Sequence, residues 1–216
     1  MERCALDVMS ALKSASLMQS GKRVKKMNDL NILLVGVGGQ GTILASKMLA
    51  DVALQSGLDV KMSEIHGMAQ RGGSVVTHVK MGRQLNSPLV EKGEADIILA
   101  FEQLEALRWA EYLKPDGEML ISTQIIEPIP VILGKAVYPQ GIVAALQEKA
   151  GKIFDIDALA AAEGCGNPKV SNIVMMGVLA RRLDFAKESW IASLKDKVPE
   201  KALDENLCAF EFGYKQ

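Results

Sequence analysis

A short apolar run that stops at a cluster of glycines and resumes as an amphipathic helix constrains this chain more than any other feature. Ile32-Leu33-Leu34-Val35 shows no polar alternation, the pattern of a central parallel strand buried on both faces. A strand is therefore expected over residues 31–35. Gly36-Val37-Gly38-Gly39-Gln40-Gly41 ends it with a G-x-G-x-x-G turn. Residues 42–56 then read as a helix, because Leu44, Met48 and Val52, with Leu49 and Ala53 beside them, form one apolar stripe. Gly57 serves as its C-cap, and residues 58–62 form the next strand. Strand, glycine turn, helix and strand, in that order, open a parallel α/β sheet.

The alternation continues. Residues 74–80 set Val75, Thr77 and Val79 against Val76, His78 and Lys80, a strand with unlike faces. Residues 95–100 form another buried strand and residues 102–112 a helix. Lys114-Pro115-Asp116-Gly117 is a turn, residues 118–122 a strand and residues 136–138 a short final one. In the last third, residues 157–163, 169–182, 187–195 and 199–212 all read as helices, separated by breaks such as Gly164-Cys165-Gly166-Asn167-Pro168. The expected fold is α/β: a doubly wound, mostly parallel Rossmann-like sheet whose helical C-terminal layer covers the sheet. Residues 1–26 stand apart. Six basic residues against two acidic ones give them a net charge of +4, which leaves -5 for residues 27–216. They are expected to form a mobile basic extension, with one compact domain in residues 27–216.

Composition excludes several function classes. A chain of 216 residues, 49% hydrophobic and 24% charged, is long and apolar enough for one substantial core. A net charge of -1 gives no electrostatic case for nucleic acid, and 5% aromatics supply no base-stacking surface. No apolar run approaches the roughly 20 residues that span a bilayer. Cys4, Cys165 and Cys208 lie far apart with no C-x-x-C pair. They are too few for an iron–sulfur cluster and, even with His66 and His78, a poor zinc set. The cysteines are expected to be reduced thiols in a cytoplasmic protein, no metal site is expected, and any redox centre must sit elsewhere than on these cysteines.

Two loops could carry chemistry. The glycines at 36, 38, 39 and 41 allow a tight turn, and the helix behind them presents free N–H groups to an anion. Dinucleotide binding would also need an acidic residue ending the second strand. That strand instead ends in Lys61-Met62-Ser63 and reaches Glu64 only at the next loop. Ordinary NAD binding, a phosphate or coenzyme A contact, and a purely structural turn all remain open for this motif. The second loop is Glu64-Ile65-His66-Gly67-Met68-Ala69-Gln70-Arg71-Gly72-Gly73. Within ten residues it holds a carboxylate, an imidazole, an amide and a guanidinium. Arginine can clamp a carboxylate or phosphate, and histidine can donate or accept a proton near neutral pH. Alternatively, Glu64 and Arg71 pair to hold the loop's shape. His78, mid-strand, reads as a packed or edge histidine, and Asn172, ahead of an apolar helix, as a cap or a core hydrogen-bonding group.

Together these segments resemble a known family. Asn31 through Gly41, the loop from Glu64 through Ser74, Asn172, and the closing Asn206-Leu207-Cys208-Ala209-Phe210-Glu211-Phe212-Gly213 are similar to the gamma-type subunit of 2-oxoacid:ferredoxin oxidoreductases. The variant His66-Gly67-Met68-Ala69-Gln70-Arg71-Gly72-Gly73 looks most like the small subunit of indolepyruvate:ferredoxin oxidoreductases. The resemblance covers nearly all of residues 28–214. It implies oxidative decarboxylation of arylpyruvates to aryl-acetyl-CoA, with electrons passing to ferredoxin. It also implies that thiamine diphosphate and iron–sulfur clusters reside on a larger partner subunit, coenzyme A being a shared substrate. Gly36, Gly38, Gly39, Gln40 and Gly41 would then face a ligand or the partner. Glu64, His66, Gln70, Arg71, Gly72 and Gly73 would line the same edge. The competing reading is a self-contained nucleotide-binding protein.

Overall fold

A computed structural model describes residues 29–66, 73–149 and 152–216. The basic extension expected at residues 1–26 lies outside them. Six strands form one sheet: β1 (Leu30–Val37), β2 (Asp59–His66), β3 (Ser74–Gly82), β4 (Ala95–Ala100), β5 (Leu113–Ser122) and β6 (Lys152–Ile156), in the order β2-β3-β1-β4-β5-β6. β1, β4, β5 and β6 pair in parallel. β3 runs antiparallel to both β1 and β2, so β2 shares the direction of β1. The helices among the described residues are α1 (Thr42–Gln55), α2 (Gln103–Trp109), α3 (Ile129–Ile132), α4 (Ile142–Lys149), α5 (Ala158–Gly164), α6 (Ser171–Arg182), α7 (Lys187–Lys197) and α8 (Leu203–Tyr214).

The unalternating run in β1 buries both of its faces, as its pattern demands. Ile32 and Leu34 point into a core closed by α1 and α5 through α8. Leu33 and Val35 point into a second core closed by α2 and α4. Helices thus cover both faces of a mostly parallel sheet, and the C-terminal helices form a layer on one of them. α6 and α8 cross at two glycines. A Cβ at Gly177 would overlap the carbonyl oxygen of Phe210 and sit 2.8 Å from the nitrogen of Tyr214; one at Gly213 would overlap the carbonyl oxygen of Val174.

Five expectations are corrected. Lys114-Pro115-Asp116-Gly117 is not a separate turn but lies within β5, which pairs with β4 from Leu113 onward across a register shift. β2 continues to His66, so Glu64 and His66 are strand residues, held in register with Thr77 and Val75. β3 buries both faces, because Val90, Trp109 and Tyr112 cover the side that carries His78. His78 is 4% exposed, and its Nδ1 accepts the Val90 N–H at 3.1 Å. The last strand is not residues 136–138, where Val137 is 87% exposed, but Lys152–Ile156, an edge strand whose mixed pattern KIFDI has only part-buried apolar positions. Finally, Cys165 and Cys208 are not free thiols: they form a disulfide with Cα atoms 5.8 Å apart. A separation of 43 residues gives no local hint of the pairing, which depends on α5 and α8 flanking α6.

Candidate functional site

The glycine turn lies at the carboxyl end of β1, beside β4. Chain progression reverses there, from α1 and the β2–β3 side to the β4 side, which is the crevice where open α/β sheets bind ligands. Gln40 locks the turn. Its Oε1 accepts the Val37 N–H at 2.8 Å, and its Nε2 donates to the Phe101 carbonyl at 2.8 Å and to Gln124 Oε1 at 3.0 Å. One amide thereby ties the end of β1 to the ends of β4 and β5. Gly36 makes room for it, since a Cβ there would stand 3.0 Å from Gln40 Oε1 and 3.3 Å from Phe101. The side chain of Gln40 is occupied in shaping the loop, while Gly38, Gly39 and Gly41 present backbone.

Gly41 caps α1 in the left-handed conformation, at φ 76°, and no side chain caps this helix. The first-turn N–H groups of α1 have no intrahelical partner by geometry and point past the glycines. A cavity of about 470 Å³ opens at the glycines ahead of this helix end. Gly38 through Gly41 form one wall, Gln124 and Ile126 another, and Lys169, Ser171 and Asn172 the third. Ser171 opens α6, so a second helix N-terminus adds to the positive field. Among the described residues, no acidic side chain lines this cavity. Asn172, only 6% exposed, sets its Nδ2 3.5 Å from the Gly41 carbonyl, and a Cβ at Gly41 would collide with it. Two helix ends, one lysine and a buried amide make an environment for a phosphate or carboxylate.

The second loop springs from the same edge. Gly67, Gln70, Arg71 and Gly72 lie outside the described residues, but both ends of the loop are fixed. His66 closes β2, and Gly73 accepts a hydrogen bond from the Gly38 N–H at 2.9 Å, joining the two loops. Glu64 accepts from Thr77 Oγ1 at 3.4 Å. Sequence reasoning missed the group that anchors the far end. Ser74 donates to Glu105, whose other oxygen meets Arg108 Nη1 at 3.0 Å. Burial pushes the Glu105 carboxyl above its usual range, against the opposing pull of Ser74 and Arg108. Fully buried Glu102 accepts the Glu105 N–H at 2.9 Å, the Tyr138 hydroxyl at 2.5 Å and the Ile126 N–H at 3.3 Å. Burial and Glu102 together hold the Tyr138 phenol protonated. The available signal was the spacing Glu102-x-x-Glu105 at the start of a helix, which reads as an N-cap. Among the described residues, no group of three metal-ligating side chains occurs.

Residues 31–216 match the family model of pyruvate ferredoxin/flavodoxin oxidoreductase. The chain belongs to that family. The indolepyruvate oxidoreductase subunit IorB of Thermococcus kodakarensis is 38% identical over 196 residues, which span 88% of this chain and 96% of that protein. IorB of Methanothermobacter thermautotrophicus is 38% identical over 190 residues, spanning 86% and 96%. Among solved structures, the keto/oxoacid ferredoxin oxidoreductase gamma subunit of Geobacter sulfurreducens superposes with a TM-score of 0.63 at 25% identity, covering 86% of this chain and 96% of that one. The chain is thus a gamma-type small subunit of a multi-subunit 2-oxoacid:ferredoxin oxidoreductase, and alone it is not the catalytic unit. The reading as a self-contained nucleotide-binding protein falls away, and the topology agrees. β3 intervenes between β1 and β2, so Glu64 stands one strand removed from the glycine turn, where a ribose-binding acid would have to reach it.

Proposed function

We propose that this subunit serves an indolepyruvate:ferredoxin oxidoreductase, which converts arylpyruvates and coenzyme A to aryl-acetyl-CoA and carbon dioxide with ferredoxin as electron acceptor. The observation that carries the substrate assignment is the 38% identity to IorB subunits along almost their whole length, against 28% to a 2-oxoglutarate synthase subunit of Methanocaldococcus jannaschii. Thiamine diphosphate and the iron–sulfur clusters belong, in this reading, to the larger subunit. This chain's own donors do not fit a cluster: the two cysteines among the described residues are bonded to each other.

The role left to this chain is to complete the site from one side. The cavity at the glycine turn offers the phosphates of coenzyme A two helix ends, Lys169 and Asn172, with Gly38, Gly39 and Gly41 allowing close backbone approach. Gln40 keeps those glycines in place. Glu64 and Gly73 stand beside that edge at the two ends of the second loop, and in this reading His66, Gln70, Arg71 and Gly72 of that loop serve an anion or the partner, Arg71 by its guanidinium. The face offered to the larger subunit continues from Ile126 of that cavity. Ile125, Ile129, Ile132, Leu133 and Val137 are all exposed there, an apolar surface unusual for a free-standing protein.

The deciding experiment is anaerobic co-purification from the native cells with a tag on this chain. Recovery of a larger brown subunit, with viologen reduction that needs both indolepyruvate and coenzyme A, supports the proposal. A partnerless chain, or a complex that oxidises only aliphatic 2-oxoacids, refutes it.

A further inference from the structure

The bridge between Cys165 and Cys208 is placed unlike a brace. Cys165 caps the C-terminus of α5 and Cys208 sits in the second turn of α8. Cys208 is exposed and Cys165 half-buried, and both form part of the wall of a cavity of about 560 Å³. Phe212, 42% exposed, and Ile156 supply apolar wall; Asp157 and Gln216 supply the polar rim, and among the described residues no cationic side chain lines the space. The terminal helix also has firm anchors elsewhere. Phe210 is fully buried, and α8 meets α6 backbone to backbone at Gly177 and Gly213. The fold therefore keeps α8 docked when the bridge opens. An accessible disulfide beside an open cavity is the type that exchanges with thiols.

Cys165 also leads directly into the other site. Gly166 and Asn167 follow it, then Pro168 and Lys169, which line the cavity at the glycine turn. Asn167 holds this turn by accepting the Lys169 N–H at 3.0 Å. The bridge thus tethers one end of the segment that carries Lys169.

We propose that Cys165–Cys208 is an exchange site for a neutral or cationic low-molecular-weight thiol, which enters this cavity and, by opening the bridge, loosens the Lys169 wall of the glycine-turn site. The second half of this statement rests on the functional reading above. An incoming thiolate attacks Cys165 Sγ, breaking the Sγ–Sγ bond and forming a mixed disulfide. Cys208 leaves as a thiolate that solvent stabilises at the exposed surface and that takes up a proton. A second thiolate then attacks the sulfur of the small thiol in that mixed disulfide, releasing Cys165 as a thiolate, which is protonated in turn. The protein disulfide is reduced by two electrons, and two small thiols are oxidised to their own disulfide. Asp157 at the rim disfavours an anionic thiol and favours an amine-bearing one.

The test uses the purified complex under anaerobic conditions, treated in parallel with cysteamine and with 2-mercaptoethanesulfonate, then alkylated without denaturant and mapped by peptide mass spectrometry. The expected result is labelling of Cys165 and Cys208 in the native complex, faster with cysteamine than with the sulfonate at equal thiolate concentration. The reduced complex should show a KM for coenzyme A raised roughly fivefold, the lower end of ordinary intersite coupling, with kcat little changed. Cys208→Ser should show the raised KM whether or not thiol is added. Labelling only after denaturation, or a faster reaction with the sulfonate, overturns the exchange site. Labelling with an unchanged KM overturns the link to the Lys169 wall. If the complex has no activity with coenzyme A, the functional reading fails, and the labelling result still decides the exchange site by itself.

Discussion

Replacing Gly213 by Ala should destabilise the protein, although the same change in an isolated helix stabilises it. Gly213 lies within α8, and a helical Gly→Ala exchange normally gains about 1 kcal/mol. Here the added Cβ would overlap the carbonyl oxygen of Val174 and lie 2.9 Å from its carbonyl carbon and 3.0 Å from the nitrogen of Val178. Comfortable carbon contacts need about 3.5–4.0 Å. All three obstacles are backbone atoms of α6, so no rotamer change relieves them and α8 must move outward. Moving it disturbs Ala209 and Phe210, both fully buried in the main core. Overpacking of this sort costs about 1–3 kcal/mol and occasionally more. With the helix gain subtracted from the upper part of that range, a net loss of about 2 kcal/mol is expected. Urea unfolding followed by circular dichroism reads it as a lower midpoint at unchanged slope. Gly164→Ala is the control. It is also a helical glycine, but no atom lies within 4 Å of its added Cβ, so this variant should be equal to or more stable than the parent. A Gly213→Ala midpoint at or above the parent's would refute the backbone-contact argument.

Gln40→Leu keeps the volume but removes three hydrogen bonds, to Val37, Phe101 and Gln124; at about 1 kcal/mol each it should lower stability by roughly 2–3 kcal/mol and raise the KM for coenzyme A, read by denaturation and steady-state kinetics. Lys169→Ala should leave the unfolding midpoint within experimental scatter, because the side chain is exposed, and weaken coenzyme A binding in the complex in a salt-dependent way. Arg71→Ala should cut the activity of the complex while leaving the circular dichroism spectrum of the chain intact; an unchanged rate at both saturating and limiting coenzyme A removes Arg71 from the site. His78 gives a pH test. Burial lowers its pKa below the ordinary 6.5, so the unfolded chain binds the proton more readily and stability must fall as pH drops through about 6.5. Glu105, raised by burial, acts in the opposite sense, with stability lost as pH rises through its folded pKa. The comparison is therefore between parent and His78→Gln from pH 7.5 to 5.5, and the parent should lose more stability on acidification.

The parallel strands and C-terminal helices were legible because their residues answer to local rules. Ile32 through Val35 can only be buried on both faces, and the motif from Gly36 to Gly41 can only be a strand-to-helix turn. What failed were properties decided by neighbours distant in sequence. β6 is invisible in Lys152–Ile156 because an edge strand needs only one covered face, and its mixed pattern fits a loop equally well. The two faces of β3 were read as unlike, with His78 itself packed or at an edge, and only Trp109, Tyr112 and Val90, brought in from later segments, show that the face carrying His78 is core. Gln40, expected to face a ligand or the partner, has in addition a tying role that the sequence could not show, for its partners Phe101 and Gln124 lie 61 and 84 residues away. Glu102, Glu105 and Tyr138 escaped for the same reason: each is an ordinary polar residue until the others arrive.

The antiparallel strand explains why a dinucleotide-like motif serves a subunit here. In a dinucleotide fold the strand after the first helix returns beside β1, and its acidic end reaches the ribose next to the pyrophosphate. Here β3 takes that place, so β1 has Val75 beside Gly36 and Ser74 beside Val37, and Glu64 is displaced to the edge strand. In the proposed reading the helix end keeps an affinity for an anion, since backbone N–H groups depend only on the turn and α1. It loses the partner that would select a nucleoside. The β2–β3 hairpin simultaneously brings the loop between His66 and Gly73 to the sheet edge, tied to the glycine turn through Gly38. One inserted strand thus moves Glu64 away from the glycine turn and adds a second loop beside the proposed anion site. A chain built this way needs another surface to supply the rest of the chemistry, which is the position of a small subunit in its complex.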